Sequence, residues 1–266
     1  LTTSGNDVNL TVAGRTQLDG GTITCNGSTV QFGASDYTTD YGLKMNAAST
    51  TVTADADSTL TMSSIYAAND SSVNLSLAGS NTVTGIGPSS QVMRLLTGVV
   101  DVATTFTITT VAGYPIVEVT DPSVSLILTP ASAETYYLGT QNMSVTALTI
   151  NANATLSTLH TSGSATSRNL TTTGDVSVTG TLTGNASAIS MGSLTLESGG
   201  RYTATSGTTT ITGEASDYAF YAKGGSYFTH SGGLLKITTE ATTQIRNQGT
   251  GVWNDLEIDN NGNICD

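Results

Sequence analysis

The sequence predicts an all-β protein, a single-stranded parallel β-helix (β-solenoid), on three observations. Apolar residues alternate with Thr, Ser or Asn at period two along most of the chain, which marks strands with one buried face. A degenerate unit recurs: an apolar-x-apolar strand, a polar turn of about four residues and a second short strand. Threonine makes up about a fifth of the 266 residues, a bias no ordinary globular core requires.

Taken in order, the alternation first shows at Val8, Leu10 and Val12, returns at Val73, Leu75 and Leu77, and again at Val124, Leu126 and Leu128, then at Val176 and Val178. Four copies of the unit are directly legible. Leu75 and Leu77 lead through AGSN to Thr82-Val83, and Leu148 and Ile150 through NANA to Thr155-Leu156. Leu194 and Leu196 lead through ESGG to Arg201-Tyr202, and Leu256 and Ile258 through DNNG to Asn263-Ile264. Spacing between copies varies, as expected when corners face solvent and accept insertions. Thr suits such strands because its branched Cβ favours the pleated backbone and its hydroxyl can bond along an outward ladder. Coils of about 20–25 residues stacked about 4.8 Å apart would give roughly a dozen coils.

All four prolines fall between residues 88 and 130, with longer apolar runs at Tyr114–Val117 and Leu126–Leu128. That stretch is expected to be an irregular or widened part of one continuous solenoid over 1–266. Within it, Gln91–Leu96 after Pro88 comes nearest to helical spacing and predicts one helical turn at most. Leu256, Ile258 and Ile264 stop in mid-pattern, so the solenoid is expected to continue beyond 266.

Composition excludes several functions. With 37% hydrophobic and only 11% charged residues, the chain is too apolar for disorder. A net charge of -12, from 20 acidic and 8 scattered basic residues, repels a nucleic-acid backbone. No apolar run approaches the roughly 20 residues that cross a bilayer, so no membrane insertion is expected. Cys25 and Cys265 lie near opposite ends, too far apart in stacked coils for the roughly 6 Å Cα separation of a disulfide. They are expected as buried free thiols, with intermolecular pairing left open.

Right-handed, pectin-lyase-like β-helices are the expected architecture, and many of these are polysaccharide lyases or hydrolases; hydrolysis calls for paired carboxylates, and an eliminating lyase for an Arg or Lys base near bound calcium. The candidates are Asp36 with Asp40, Asp55 with Asp57, and Glu214 with Asp217. None has an evident basic partner in sequence. They are read first as solvated corners, with Asp55 and Asp57 as calcium candidates and catalysis last. His160 and His230 occupy ordinary strand-to-turn contexts and do not suggest a triad. The sequons at Asn9, Asn69, Asn74, Asn153, Asn169 and Asn185 follow from composition. No catalytic residue and no cofactor is expected.

The richest local signal is aromatic: Tyr218, Phe220, Tyr221, Tyr227 and Phe228, with Trp253 following. Alternation places Tyr218 and Phe220 on one face and Tyr221 on the other. Packing inward is the first reading. The second is a glycan or subunit contact through Tyr218, Tyr221, Tyr227 and Trp253.

Residues 171–213, TTTGDVSVTGTLTGNASAISMGSLTLESGGRYTATSGTTTITG, resemble the Thr/Gly/Ser-rich repeats of tail-fibre and appendage proteins of marine tailed phages. Similar repeats occur in bacterial surface adhesins. The resemblance implies a β-structured, often oligomeric fibre with a role in host attachment, in a virion or at the extracellular cell surface. Its partners would be copies of itself, other virion or surface subunits, or a cell-surface glycan. Three functions are therefore carried forward, in this order: a structural fibre or appendage segment, a secreted adhesin or self-assembling filament subunit, and a polysaccharide lyase or hydrolase.

Overall fold

The computed structural model describes residues 1–3, 9–34, 40–46, 49–67, 73–96, 99–100, 102–110, 113–239 and 244–259. These residues form short strands with one 3-10 turn, and the chain divides into two compact units, 1–134 and 135–266. Each unit is a parallel β-solenoid.

The first unit has three faces. One stacks Thr2–Thr3, Gly21–Cys25, Thr50–Ala54 and Val73–Leu77 in chain order. The second stacks Leu10–Val12, Thr29–Phe32, Thr59–Met62, Ser80–Val83, Thr104–Ile108 and Val124–Leu128. The third stacks Thr16–Leu18, Leu43–Met45, Ile65–Ala67, Gln91–Leu95 and Ile116–Val119. On the second face the register aligns Phe32, Met62, Val83, Ile108 and Leu128 into one inward row, each at most 1% exposed. Like side chains thus pack on like, and each such burial contributes about 1.5–3 kcal/mol. The outward row beside it is Thr61, Thr82 and Thr107, as the threonine bias predicts.

Asn81 is a polar residue at an inward position, between Leu60 and Phe106. Its amide Nδ2 lies 3.0 Å from the carbonyl of Gly79 and 3.3 Å from that of Thr105, so it donates to its own corner and to the neighbouring strand.

The second unit repeats the plan. Its faces are Ala147–Ile150, Asp175–Val178, Ser193–Leu196, Tyr218–Ala222 and Gln244–Asn247; then Ala154–Ser157, Thr181–Thr183, Arg201–Thr203 and Tyr227–Thr229; then Met143–Val145, Leu170–Thr172, Ile189–Met191, Thr208–Ile211, Leu234–Ile237 and Asp255–Ile258. Corners here are tight. A Cβ on Gly200 would lie 2.0 Å from the carbonyl oxygen of Val178, so only glycine lets that coil settle on the one before it. Hydroxyls fill the polar corners: buried Thr158 donates to Gly184 O at 2.7 Å and accepts from Ser187 at 2.6 Å.

Three of the four repeat copies legible in sequence form the strands expected of them. In the fourth, Leu256 and Ile258 lie in a strand, whereas Asn263 and Ile264 fall outside the described residues, as do Val8 and Cys265. Cys25 is buried and free, and burial, with Asp55 nearby, pushes its thiol pKa up.

The helical turn expected at Gln91–Leu96 is corrected. A 3-10 turn occupies Pro88–Ser90 instead, with Ser89 and Ser90 left-handed at φ 56° and 63°. Gln91–Leu95 is a strand because Ile65–Ala67 and Ile116–Val119 flank it and satisfy its backbone on both sides. A register slip between Gln91 and Met93 buries both Val92 and Met93, which breaks period two and mimics helical spacing.

Candidate functional site

The site begins with a flaw in a strand. Ala215 and Tyr218 close a tight turn through reciprocal backbone bonds of 2.9 and 3.0 Å, with Ser216 and Asp217 left-handed at φ 50° and 72°. The strand that follows, Tyr218–Ala222, shifts register between Tyr218 and Phe220, so Ala219 and Phe220 are both buried. The shift corrects the expectation that Tyr218 and Phe220 share a face. Tyr218 and Tyr221 instead both face outward and stack, ring centroids 4.7 Å apart and planes 30° from parallel.

This pair lines an open groove of about 280 Å³ together with Asp175, Ser177, Thr195, Glu197, Ser216 and Lys223. Lys223 Nζ lies 2.7 Å from both carboxylate oxygens of Glu197 in the preceding coil. Asp175 accepts from Ser193 Oγ at 2.8 Å. Asp175 pairs in register with Ser193, four residues before Glu197, so the backbone positions of the two acids are offset by about 13 Å along the strands at about 3.3 Å per residue.

The next coil supports the tyrosines from behind. Arg246 stands opposite Tyr221 in the ladder, its guanidinium carbon 5.4 Å from the ring centre, and its Nη1 donates to Tyr218 Oη at 3.2 Å. The hydrogen bond from Arg246 to Tyr218, followed by the tyrosines' electrostatic contribution, pushes the arginine pKa up. With the Gln248 amide nitrogen facing Tyr221 Oη at 3.1 Å, its oxygen accepts from Arg246 Nη2 at 2.6 Å and Nε at 3.1 Å. The stacked pair is thus braced by Arg246 and Gln248 of the next coil.

The other aromatic candidates are dispersed. Tyr227 is 40% exposed on a different face, where the Arg201 guanidinium carbon sits 4.2 Å from its ring centre. Trp253, half-buried, packs its ring 4.8 Å from both Phe220 and Phe228 at the edge of the core. The structure therefore unites Tyr218 with Tyr221 and separates Tyr227 and Trp253 from them.

The acidic candidates serve corners. Asp55 accepts from Ser58 Oγ at 2.6 Å and from the Gly27 N–H at 2.9 and 3.1 Å. The Ser58 bond first and the Gly27 bond second lower its pKa. Asp57 is exposed beside it. Among the described residues no group of three or more His, Cys, Asp or Glu is placed to hold a metal ion. Asp36 lies outside the described residues. Asp40 pairs with Arg15 at 2.7 Å and Lys44 at 3.7 Å. Glu214 precedes the Ala215–Tyr218 turn and Asp217 lies inside it. His160 turns Nδ1 to the Gly139 carbonyl at 2.6 Å, a peptide partner where a triad needs a carboxylate, and His230 is exposed.

Sequence reasoning missed Asp175, Glu197, Lys223, Arg246 and Gln248. Their signal was register: Glu197 and Lys223 each follow the last inward residue of their strand, Leu196 and Ala222, which are ladder partners. That correspondence emerges only once the corners between them are counted out.

A second polar cluster sits in the first unit. The Tyr41 hydroxyl donates to Gln91 Oε1, Gln91 Nε2 donates to buried Glu118 at 3.2 Å, and Arg94 Nε lies 3.6 Å from the same carboxylate. The Tyr66 ring lies 5.0 Å from Tyr41. Burial pushes the Tyr41 pKa up to about 12, against the opposing charge of Arg94. No known protein family, curated protein or solved structure matches this chain.

Proposed function

We propose that this chain is a structural segment of a virion or cell-surface appendage, a stiff β-solenoid that also carries an attachment surface. One observation supports the reading above others: inward rows of aliphatic side chains run beside outward rows of hydroxyls such as Thr61, Thr82 and Thr107. Such an exterior stays hydrated with few charges, and the paired backbone ladder resists unfolding along the strand-stacking direction.

The lyase or hydrolase reading is weaker. Asp175 and Glu197, the carboxylates of the groove, start from backbone positions offset by about 13 Å along the strands, an offset their side chains would have to close to reach the about 5–10 Å of a hydrolytic pair. Each also already has a partner, Ser193 for one and Lys223 for the other. The adhesin reading differs from the leading one only in the carrier, since both use the groove beside Tyr218 and Tyr221.

Immunogold electron microscopy of the native source tests the proposal. Label on virion fibres or on surface appendages is the expected result; label confined to the cell interior overturns it.

A further inference from the structure

We infer that the groove beside Tyr218 and Tyr221 is a binding site for a short stretch of neutral glycan. The inference deepens the attachment role proposed above and rests on that reading for its biological setting, while its chemistry stands on the groove alone.

Four features converge on a sugar ligand. The first is the stacked tyrosine pair, which faces outward and is held in place by Arg246 and Gln248, so little ordering remains to be done on binding. Aromatic rings of this kind offer the C–H faces of a pyranose an apolar surface while the hydroxyls nearby stay wet. The second is the shape of the groove: at about 280 Å³ and open to solvent, it lies near the lower end of ligand-site volumes, about 300–1,000 Å³, and suits a chain laid across a surface better than an enclosed small molecule.

The third feature is the placement of acceptors and donors at the two ends. Asp175 lies at one end, and Glu197 with Lys223 at the other, their backbone positions offset by about 13 Å along the strands. Carboxylate oxygens accept from vicinal hydroxyls, and an ammonium donates to a ring or hydroxyl oxygen, so successive sugars meet matched groups while crossing the tyrosines. Ser177 and Thr195 add neutral hydroxyls between the ends, and Ser216 another on the groove wall. The fourth is charge. With a net charge of -12 and two carboxylates against one lysine in the groove, a polyanionic glycan is repelled and a neutral one is not.

The test uses the full chain and saturation-transfer NMR with a panel of neutral hexose and N-acetylhexosamine oligosaccharides, beside uronic-acid oligosaccharides. The expected result is transfer from tyrosine ring protons to at least one neutral oligosaccharide and none to the acidic ones. Tyr221→Ala should weaken binding about tenfold or more, Tyr221→Phe should stay within about twofold, and Tyr227→Ala, on another face, should leave it unchanged. Circular dichroism confirms that each variant keeps its β content, and Glu197→Gln gives a second reading of the groove that leaves the core untouched.

The inference is overturned if no neutral oligosaccharide binds, if acidic ones bind better, or if Tyr227→Ala weakens binding as much as Tyr221→Ala. Failure of this test leaves the appendage reading standing on its microscopy. Label inside the cell would remove the appendage reading and leave the sugar affinity as measured.

Discussion

In the first unit two carboxylates that brace the coils lie under cover; in the second, the buried bracing groups among the described residues are neutral hydroxyls, and aromatic rings pack at the edge of the core. Asp121, only 1% exposed, accepts the backbone N–H groups of Val99 and Val100 at 3.1 Å each and of Ser123 at 2.9 Å. Glu118 is equally buried beside Gln91 and Arg94. In the second unit Phe220, Phe228 and Trp253 form a mutual cluster, Phe220 lying 5.8 Å from Phe228 and 4.8 Å from Trp253. The same coil plan accepts either solution because it fixes only that inward positions be filled and backbone groups be paired. What stays outside is then free to vary, as the stacked Tyr218 and Tyr221 show.

The largest expected effect tests the aromatic half. Phe220→Ala leaves a cavity next to Phe228 and Trp253 and should cost about 3–5 kcal/mol in urea unfolding. Asp121→Ala in the other half removes the acceptor of three backbone N–H groups, of which Val99 keeps a 3.3 Å bond to the Leu96 carbonyl, and should cost about 2–4 kcal/mol by the same measurement. If Asp121→Ala falls below about 0.5 kcal/mol, the level of an ordinary surface change, the contrast between the units collapses.

A smaller effect appears at alkaline pH. The Tyr41 pKa is about 12 when folded against about 10 when unfolded, so its contribution is complete below pH 10 and is lost as pH rises toward 12. Thermal melts of wild type should therefore lose stability across that window, and Tyr41→Phe should lose less. An identical pH profile for the two proteins would show that Tyr41 is not braced by its buried surroundings.

The smallest effect lies at acid pH. Slight burial alone would raise the Asp40 pKa, but the hydrogen bonds from Arg15 and the Tyr41 N–H, with the charge of Lys44, bring it below its ordinary value. A lowered folded pKa means stability present above about pH 4 and lost as pH falls through the folded value. Asp40→Asn should flatten that acid limb by a small amount, as expected for a pair whose Arg15 side chain is 46% exposed. A variant with an unchanged acid limb would assign the limb to other carboxylates.

Much of the architecture could be read without coordinates. Val52, Leu75, Val176 and Leu194 are all inward and buried, and each is recognisable from its two flanking polar neighbours. The departures have local causes. Val92-Met93 and Ala219-Phe220 are adjacent buried pairs at register slips, and period two fails at both. The first produced a false helical signal, and the second sent Tyr218 to the wrong side.

The sequence by itself determined the parallel solenoid, its inward rows and its threonine exterior, because side-chain alternation along a strand is a local property with a fixed period. Only the tertiary structure decided which outward residues became neighbours. Ladder partners are 18 residues apart for Val176 and Leu194 but 30 for Val30 and Leu60, since corners differ in length. Glu197 therefore meets Lys223, and Tyr221 meets Arg246, through coil register that no local pattern encodes, and one bulge at Ala219 turns two separated tyrosines into a stacked pair.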